Sequence, residues 1–212
     1  MALTLYSYWR STTSFRVRAA LNLKGVAYTI RPINLLRAEH KTPDYAALNP
    51  VEGVPALVLE DGTVLTQSMA ILDWLDDTYP EPGLLPADPV RRAKVRAAAQ
   101  VIAMEIHPVN NLKVLGQLKA MGHSQDDCVV WMQHWMAKGF AAYQAMIPET
   151  GRFSFGDVLT QADLCLVGQM LNARRWQLDL GPFARLVAID AAARALPAIS
   201  AALPDNQPDA TP

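Results

Sequence analysis

The chain has 212 residues, 51% of them hydrophobic and 18% charged, which suits one large or two modest globular domains and excludes a disordered chain. Lys and Arg number 19 against 20 Asp and Glu, so no net field draws nucleic acid or an anionic membrane, and any anion recognition has to be local. No run of 18 apolar residues and no basic leader is present, so a soluble, unexported protein is expected, and the widely spaced Cys128 and Cys165 fit a reducing cytoplasm.

In chain order, residues 3–7 read as a short strand. Residues 14–24 read as a helix, with Phe15, Ala19, Ala20 and Leu23 at helical spacing before a stop at Gly25. Residues 27–32 read as a second strand and 43–48 as a short helix. Residues 55–59 and 63–65 pair as a hairpin across Asp61-Gly62, and Ser68 is expected to cap a helix that carries Ile71, Leu72 and Leu75 and stops before Pro80. The order β-α-β-α-β-β-α is that of a thioredoxin-like domain. After the proline-rich stretch 80–89 every segment reads as helix, at about 90–106, 109–121, 125–147, 160–174 and 183–194. The polar tail from Pro204 to Pro212 is expected to be loose. The expected fold is therefore an α/β thioredoxin-like N-terminal domain over 1–82 and an all-α C-terminal domain over 87–208.

Three segments of the α/β half carry candidate chemistry. Arg10-Ser11-Thr12-Thr13-Ser14 joins the first strand to the first helix, where hydroxyls and outward-facing amides either cap the helix or stabilise an anion or thiolate. Val54-Pro55 either begins an edge strand with a trans bond or holds a cis bond that turns the Val54 backbone toward a peptide-like ligand. Gln67-Ser68 stands before the third helix, as a cap or as a carboxylate site. All three lie on loops of one small domain, and such loops can converge on one ligand.

In the helical half, His107-Pro108-Val109-Asn110-Asn111 interrupts a helical run, and Arg174-Arg175 ends another helix, as a dipole complement or as a carboxylate fork. Thr160 and Asp163 have capping-box spacing and are assigned to folding. The histidines at 40, 107, 123 and 134 show no metal-ligand spacing, so no metal is expected. A phosphate-cradling glycine loop and a basic aromatic strip are also missing, so nucleic acid is not an expected partner.

Together these residues resemble the zeta class of glutathione transferases, which includes maleylacetoacetate isomerase and bacterial glutathione-dependent maleylpyruvate isomerases. The likeness runs to about Pro208 and rests on the order of 6–25, Ala47-Leu48-Asn49-Pro50, Val54-Pro55, Gln67-Ser68, 160–167 and 175–180. It implies the glutathione transferase fold, glutathione as cofactor and a homodimer. It also implies cis–trans isomerisation of a small dicarboxylate, most readily maleylacetoacetate, with maleylpyruvate isomerisation or glutathione conjugation or dehalogenation as alternatives. A binding protein on the same fold is a further alternative. The family signature usually reads Ser-Ser-Cys, whereas this chain has Ser11-Thr12-Thr13, so no cysteine can serve there. By the resemblance Ser11 and Thr12 lie near the glutathione sulfur. His40, Val54, Gln67, Ser68, His107 and Asn111 contact the cofactor, and Arg10 and Arg175 hold substrate carboxylates, with Arg174 a helper.

Overall fold

A computed structural model describes residues 3–210. Contacts divide the chain into two compact units, one that reaches to Leu84 and resumes at Ala195, and one formed by Leu85–Arg194.

The first unit is built on four strands, β1 (Leu3–Ser7), β2 (Tyr28–Pro32), β3 (Ala56–Val58) and β4 (Val64–Thr66), in the spatial order β2-β1-β3-β4. β1 and β2 are parallel, which requires a crossover, and α1 (Thr12–Leu23) supplies it. β1 pairs antiparallel with β3, and β3 with β4 across the Asp61-Gly62 turn, where Asp61 Oδ1 accepts from the Thr63 amide at 2.9 Å. Helices α2 (Pro43–Leu48) and α3 (Ser68–Thr78) complete the expected order. The thioredoxin-like arrangement is thus present.

α1 lies in the core. Ser14 through Leu21 are all buried, so the helix has no solvent face to which its two inner arginines, Arg16 and Arg18, can extend. Arg18 is instead fully enclosed by acceptors. It donates to Ser7 Oγ at 2.9 Å, to the carbonyls of Tyr8 and Trp9 at 3.3 and 3.1 Å, and twice to Ala202 O at 3.1 and 3.0 Å. Burial pulls its guanidinium down to about 10, with Tyr28 and Asp209 opposing, so it stays charged at neutral pH.

Hydrogen bonds made by Gln207 and Asp209 overturn the expectation of a loose tail. α9 (Pro197–Ala202) packs on α1, and the following residues form a 3₁₀ turn over Pro204–Asn206. Gln207 is buried and donates to Ala201 O and Leu203 O, both at 2.8 Å, and Asp209 Oδ2 accepts from the Trp9 amide at 3.0 Å. The polarity that argues against packing supplies the hydrogen bonds that make this segment fit. Thr211 and Pro212 lie outside the described residues. The segment from Ala195 onward belongs by its contacts to the α/β unit, although the sequence groups it with the helices.

The second unit holds α4 (Pro89–Gln100), α5 (Leu112–Ala120), α6 (Gln125–Met146), α7 (Gln161–Arg175) and α8 (Ala184–Arg194). α4 starts at Pro89 with Asp88 Oδ1 accepting from the Arg91 amide at 2.8 Å. The expected helix over 90–106 changes hydrogen bonding partway. Val101–Ile106 is π-helical, and the His107 amide reaches Ile102 O at 3.0 Å. Gly139 of α6 faces this turn, where a Cβ would overlap the buried Ile106 side chain.

α7 is buried from Gln161 to Met170 and forms the centre of the unit. Its start is the expected capping box. Asp163 Oδ2 accepts from the Thr160 amide at 2.8 Å and its hydroxyl at 3.0 Å, while Oδ1 accepts from the Ser154 amide at 2.8 Å. Among the described residues no helix is long and apolar enough to cross a membrane.

Candidate functional site

The β1–α1 loop is held from several sides before any ligand is considered. Ser11 is the N-cap of α1, its Oγ accepting from the Ser14 amide at 3.1 Å, so the capping alternative for this hydroxyl is real. The same Oγ lies 2.9 Å from Thr13 Oγ1, and Thr13 Oγ1 donates to Val54 O at 2.8 Å. Thr13 has a single proton, and it is engaged with Val54; hence Ser11 is the donor within the hydroxyl pair. Thr12 is buried beside them in the first turn.

The Val54-Pro55 bond is cis, which decides the alternative the sequence left open. Thr13 therefore ties the hydroxyl-rich helix start to the backbone just before the cis proline. Arg10 is held by its own neighbours. Its Nε and Nη2 donate to Tyr8 Oη at 3.3 and 3.0 Å, and its guanidinium carbon lies 4.7 Å from the centre of the Trp9 ring.

Ser68 is the first residue of α3, not its cap. The capping position is Gln67, with φ 66° and ψ 113° and no side-chain capping bond. This corrects the expected cap. A serine just before a helical run commonly caps it, but here the Ser68 oxygen lies inside the first turn and accepts from Arg16 Nη1 at 3.2 Å. Non-glycine residues at positive φ are strained and cluster at ligand clamps.

Arg16 is the residue sequence reasoning passed over. It is 1% exposed, and its Nε and Nη2 are buried without a hydrogen-bond partner among the described residues. The signal was present: two arginines two positions apart on a helix otherwise made of Phe15, Val17, Ala19, Ala20 and Leu21 cannot both reach water.

His40 sits in a 3₁₀ turn over Glu39–Lys41, half-buried, with its Nδ1 unpartnered. Burial, with Lys41, holds its imidazole below the ordinary 6.5 against the pull of Glu52, so it is neutral at pH 7. No hydrogen bond joins it directly to the Ser11–Val54 group among those described.

In the second unit His107 follows the π-helical turn, and Asn111 caps α5, its Oδ1 accepting from the Lys113 amide at 3.2 Å. Asn111 Nδ2 lies 3.4 Å from His107 Nε2, so these two candidates stand together. Two arginines, Arg174 and Arg175, end α7. Arg174 Nη2 meets Asp190 Oδ2 at 2.6 Å, and that carboxylate is fully buried. Arg175 is exposed at the helix end.

A cluster of hydroxyls at one helix start, a backbone segment beside a cis proline and a second helix start backed by a buried cation fit an extended anionic peptide that carries a thiol. Helix N-termini and hydroxyl donors favour a charged sulfur, so the first helix start has the chemistry to stabilise a thiolate. The second favours a carboxylate.

Residues 10–78 match the glutathione S-transferase N-terminal domain family. The chain is 46% identical over 210 residues to a maleylpyruvate isomerase of a Ralstonia species, covering 97% of this chain and 98% of the relative. It is also similar to the holo structure of a maleyl pyruvate isomerase described as a bacterial zeta-class glutathione S-transferase, with TM-score 0.95, 45% identity, and coverage of 98% of this chain and 100% of that one. A maleylacetoacetate isomerase of Anaeromyxobacter dehalogenans 2CP-1, solved with glutathione in its active site, matches with TM-score 0.90, 44% identity, and coverage of 99% and 98%.

Proposed function

Since the chain belongs to the zeta-class glutathione transferase and maleylacetoacetate isomerase family, we propose that it is a glutathione-dependent cis–trans isomerase of a small dicarboxylate, with maleylacetoacetate as its substrate. The observation that carries this reading is the Ser11–Thr13–Val54 chain, which joins thiolate-stabilising hydroxyls to a peptide-binding backbone in one piece. Maleylpyruvate is the second reading, favoured by the name of the Ralstonia relative.

Ser11, Thr12, His40, Val54, Gln67, Ser68, His107 and Asn111 would hold glutathione. Bound glutathione supplies a thiolate that adds reversibly to a carbon–carbon double bond, leaving it free to rotate. A free thiol titrates at about 8.5, so a protein that uses it at neutral pH has to favour the ionised form. Ser11 does so by hydroxyl donation at a positive helix end, in place of the family's cysteine-containing signature. Arg10 arrives already oriented by Tyr8 and Trp9, which lowers the entropy lost when it grips a carboxylate. Arg175 would hold the substrate's other carboxylate and, with Arg10, offset charge that develops along the conjugated chain.

The enzyme is proposed to act as a cytoplasmic homodimer, in keeping with the family resemblance and with two buried cysteines that form no disulfide. The decisive experiment follows the absorbance of maleylacetoacetate and maleylpyruvate with and without glutathione, and then measures recovered glutathione. Glutathione-dependent loss of the cis acid with glutathione returned intact is expected. Stoichiometric consumption of glutathione would make the protein a conjugating or dehalogenating transferase, and absence of turnover with retained binding would make it a binding protein.

A further inference from the structure

Arg16 and Arg18 stand two residues apart on α1, both buried, and the protein treats them differently. Every direction from Arg18 ends in an acceptor, and its five bonds explain why a charge is kept there: it closes the β1–α1 loop onto α9. Arg16 has one bond, from Nη1 to Ser68 Oγ at 3.2 Å, while Nε and Nη2 have none among the described residues. No carboxylate pairs with it there either. A fully enclosed guanidinium with a single neutral partner destabilises a fold unless an anion compensates it.

The single bond also has a direction. A guanidinium only donates, so Ser68 Oγ must accept, and the hydroxyl proton is left for an acceptor on another side. Ser68 opens α3, an eleven-residue helix whose N-terminal dipole favours an anion at the same place. The adjoining Gln67 is held at φ 66°, the strained geometry expected where backbone is shaped around a ligand.

We propose that Arg16 is a positioning residue for a glutathione carboxylate: by donating into Ser68 Oγ it turns the Ser68 hydroxyl toward the ligand. The inference rests on the reading of glutathione as cofactor. It gives the enzyme a carboxylate site with no arginine at its surface, the cation acting through one serine. Such an arrangement keeps the charge in the protein interior, where it is screened least.

A double-mutant cycle on glutathione affinity, measured by calorimetry without substrate, tests this. Arg16→Gln and Ser68→Ala are each expected to weaken binding by about ten- to a hundredfold, since each removes part of a charge-assisted bond. The double variant should bind no more than marginally worse than the poorer single variant, because both act along one path. Thermal unfolding of each variant, alongside, reports the structural cost separately. Should Arg16→Gln not fold, Arg16→Lys enters the same cycle, and its loss should again vanish in the Ser68→Ala background. Unchanged affinity in the Arg16 variants, or losses that multiply in the double variant, would overturn the proposal. A wild-type protein that does not bind glutathione would overturn the cofactor reading itself, which is a different outcome from a wild type that binds tightly and a variant that does so equally well.

Discussion

The Thr13 hydroxyl donates to the Val54 carbonyl across 2.8 Å, joining the first turn of α1 to a loop 41 residues away in sequence. Because that proton is used, Ser11 gives its own proton to Thr13 while no ligand is bound, and a thiolate at this helix start has to compete for it. On the proposed reading, Thr13 orders the site and Ser11 is its adjustable donor. Thr13→Val should raise the glutathione KM about five- to tenfold, the worth of one or two ordinary hydrogen bonds, with the bound thiol's pKa unchanged within error. Thr13→Ser should restore the affinity. Ser11→Ala should instead raise the bound thiol's pKa and lower kcat at saturating substrate, which ultraviolet titration of the thiolate and steady-state kinetics will separate. If neither moves in Ser11→Ala, the donor is Thr12 or Thr13.

Gln67 pairs strain with position. Its φ of 66° costs a non-glycine residue about 1–3 kcal/mol, and glycine adopts it freely. Gln67→Gly should therefore hold or raise the midpoint of thermal unfolding while weakening glutathione binding, through loss of the side chain and of the fixed backbone. A variant that loses stability as well would show that the side chain serves the fold.

The two arginines ending α7 should answer to different measurements. Arg174 compensates Asp190, whose carboxyl is pushed up by burial and pulled down by Arg174 and Arg194. Arg174→Ala should lower stability by about 1–3 kcal/mol in urea unfolding, a range reduced from that of a fully buried pair because the Arg174 side chain is 36% exposed. Its glutathione KM should stay unchanged. Arg175→Ala should raise the KM for the dicarboxylate strongly, by a factor worth about 2–5 kcal/mol for a desolvated contact. Unaltered kinetics in Arg175→Ala would remove that residue from the site.

Asp163 bears on folding alone. Burial pushes its carboxyl above the ordinary value of 3.8 and the bonds from Ser154 and Thr160 hold it back, so its acceptors are committed. Asp163→Asn keeps the Ser154 bond but turns an amide donor toward the Thr160 amide, and should cost about 1–3 kcal/mol. Turnover per folded molecule should remain that of the wild type, as active-site titration with denaturant curves will establish.

The sequence read the repeating features well. The order of strands and helices, the Asp61-Gly62 turn and the Thr160–Asp163 box depend on neighbours a few residues apart, where hydrophobic period and turn chemistry act directly. The family was legible because ordered motifs survive over nearly the whole chain, and the 46% identity to a full-length relative agrees with that. The switch to π-helix before His107 was not legible, because the residue packed against it, Gly139, lies on another helix.

What only the tertiary structure decided concerns polar groups whose partners are distant in sequence. Residues 204–210 look unpackable until the Trp9 amide is placed beside Asp209 and the Ala201 and Leu203 carbonyls beside Gln207, and Arg174 shows no partner in the sequence until Asp190 is seen to hold it. Ser68 looks like a cap until Arg16 is found behind it. A side chain's residue type fixes what it can donate or accept, and the sequence states that outright. Which partner it meets depends on loop closure over tens to hundreds of residues, and that pairing separates the Arg18 that builds the fold from the Arg16 left with unmet donors.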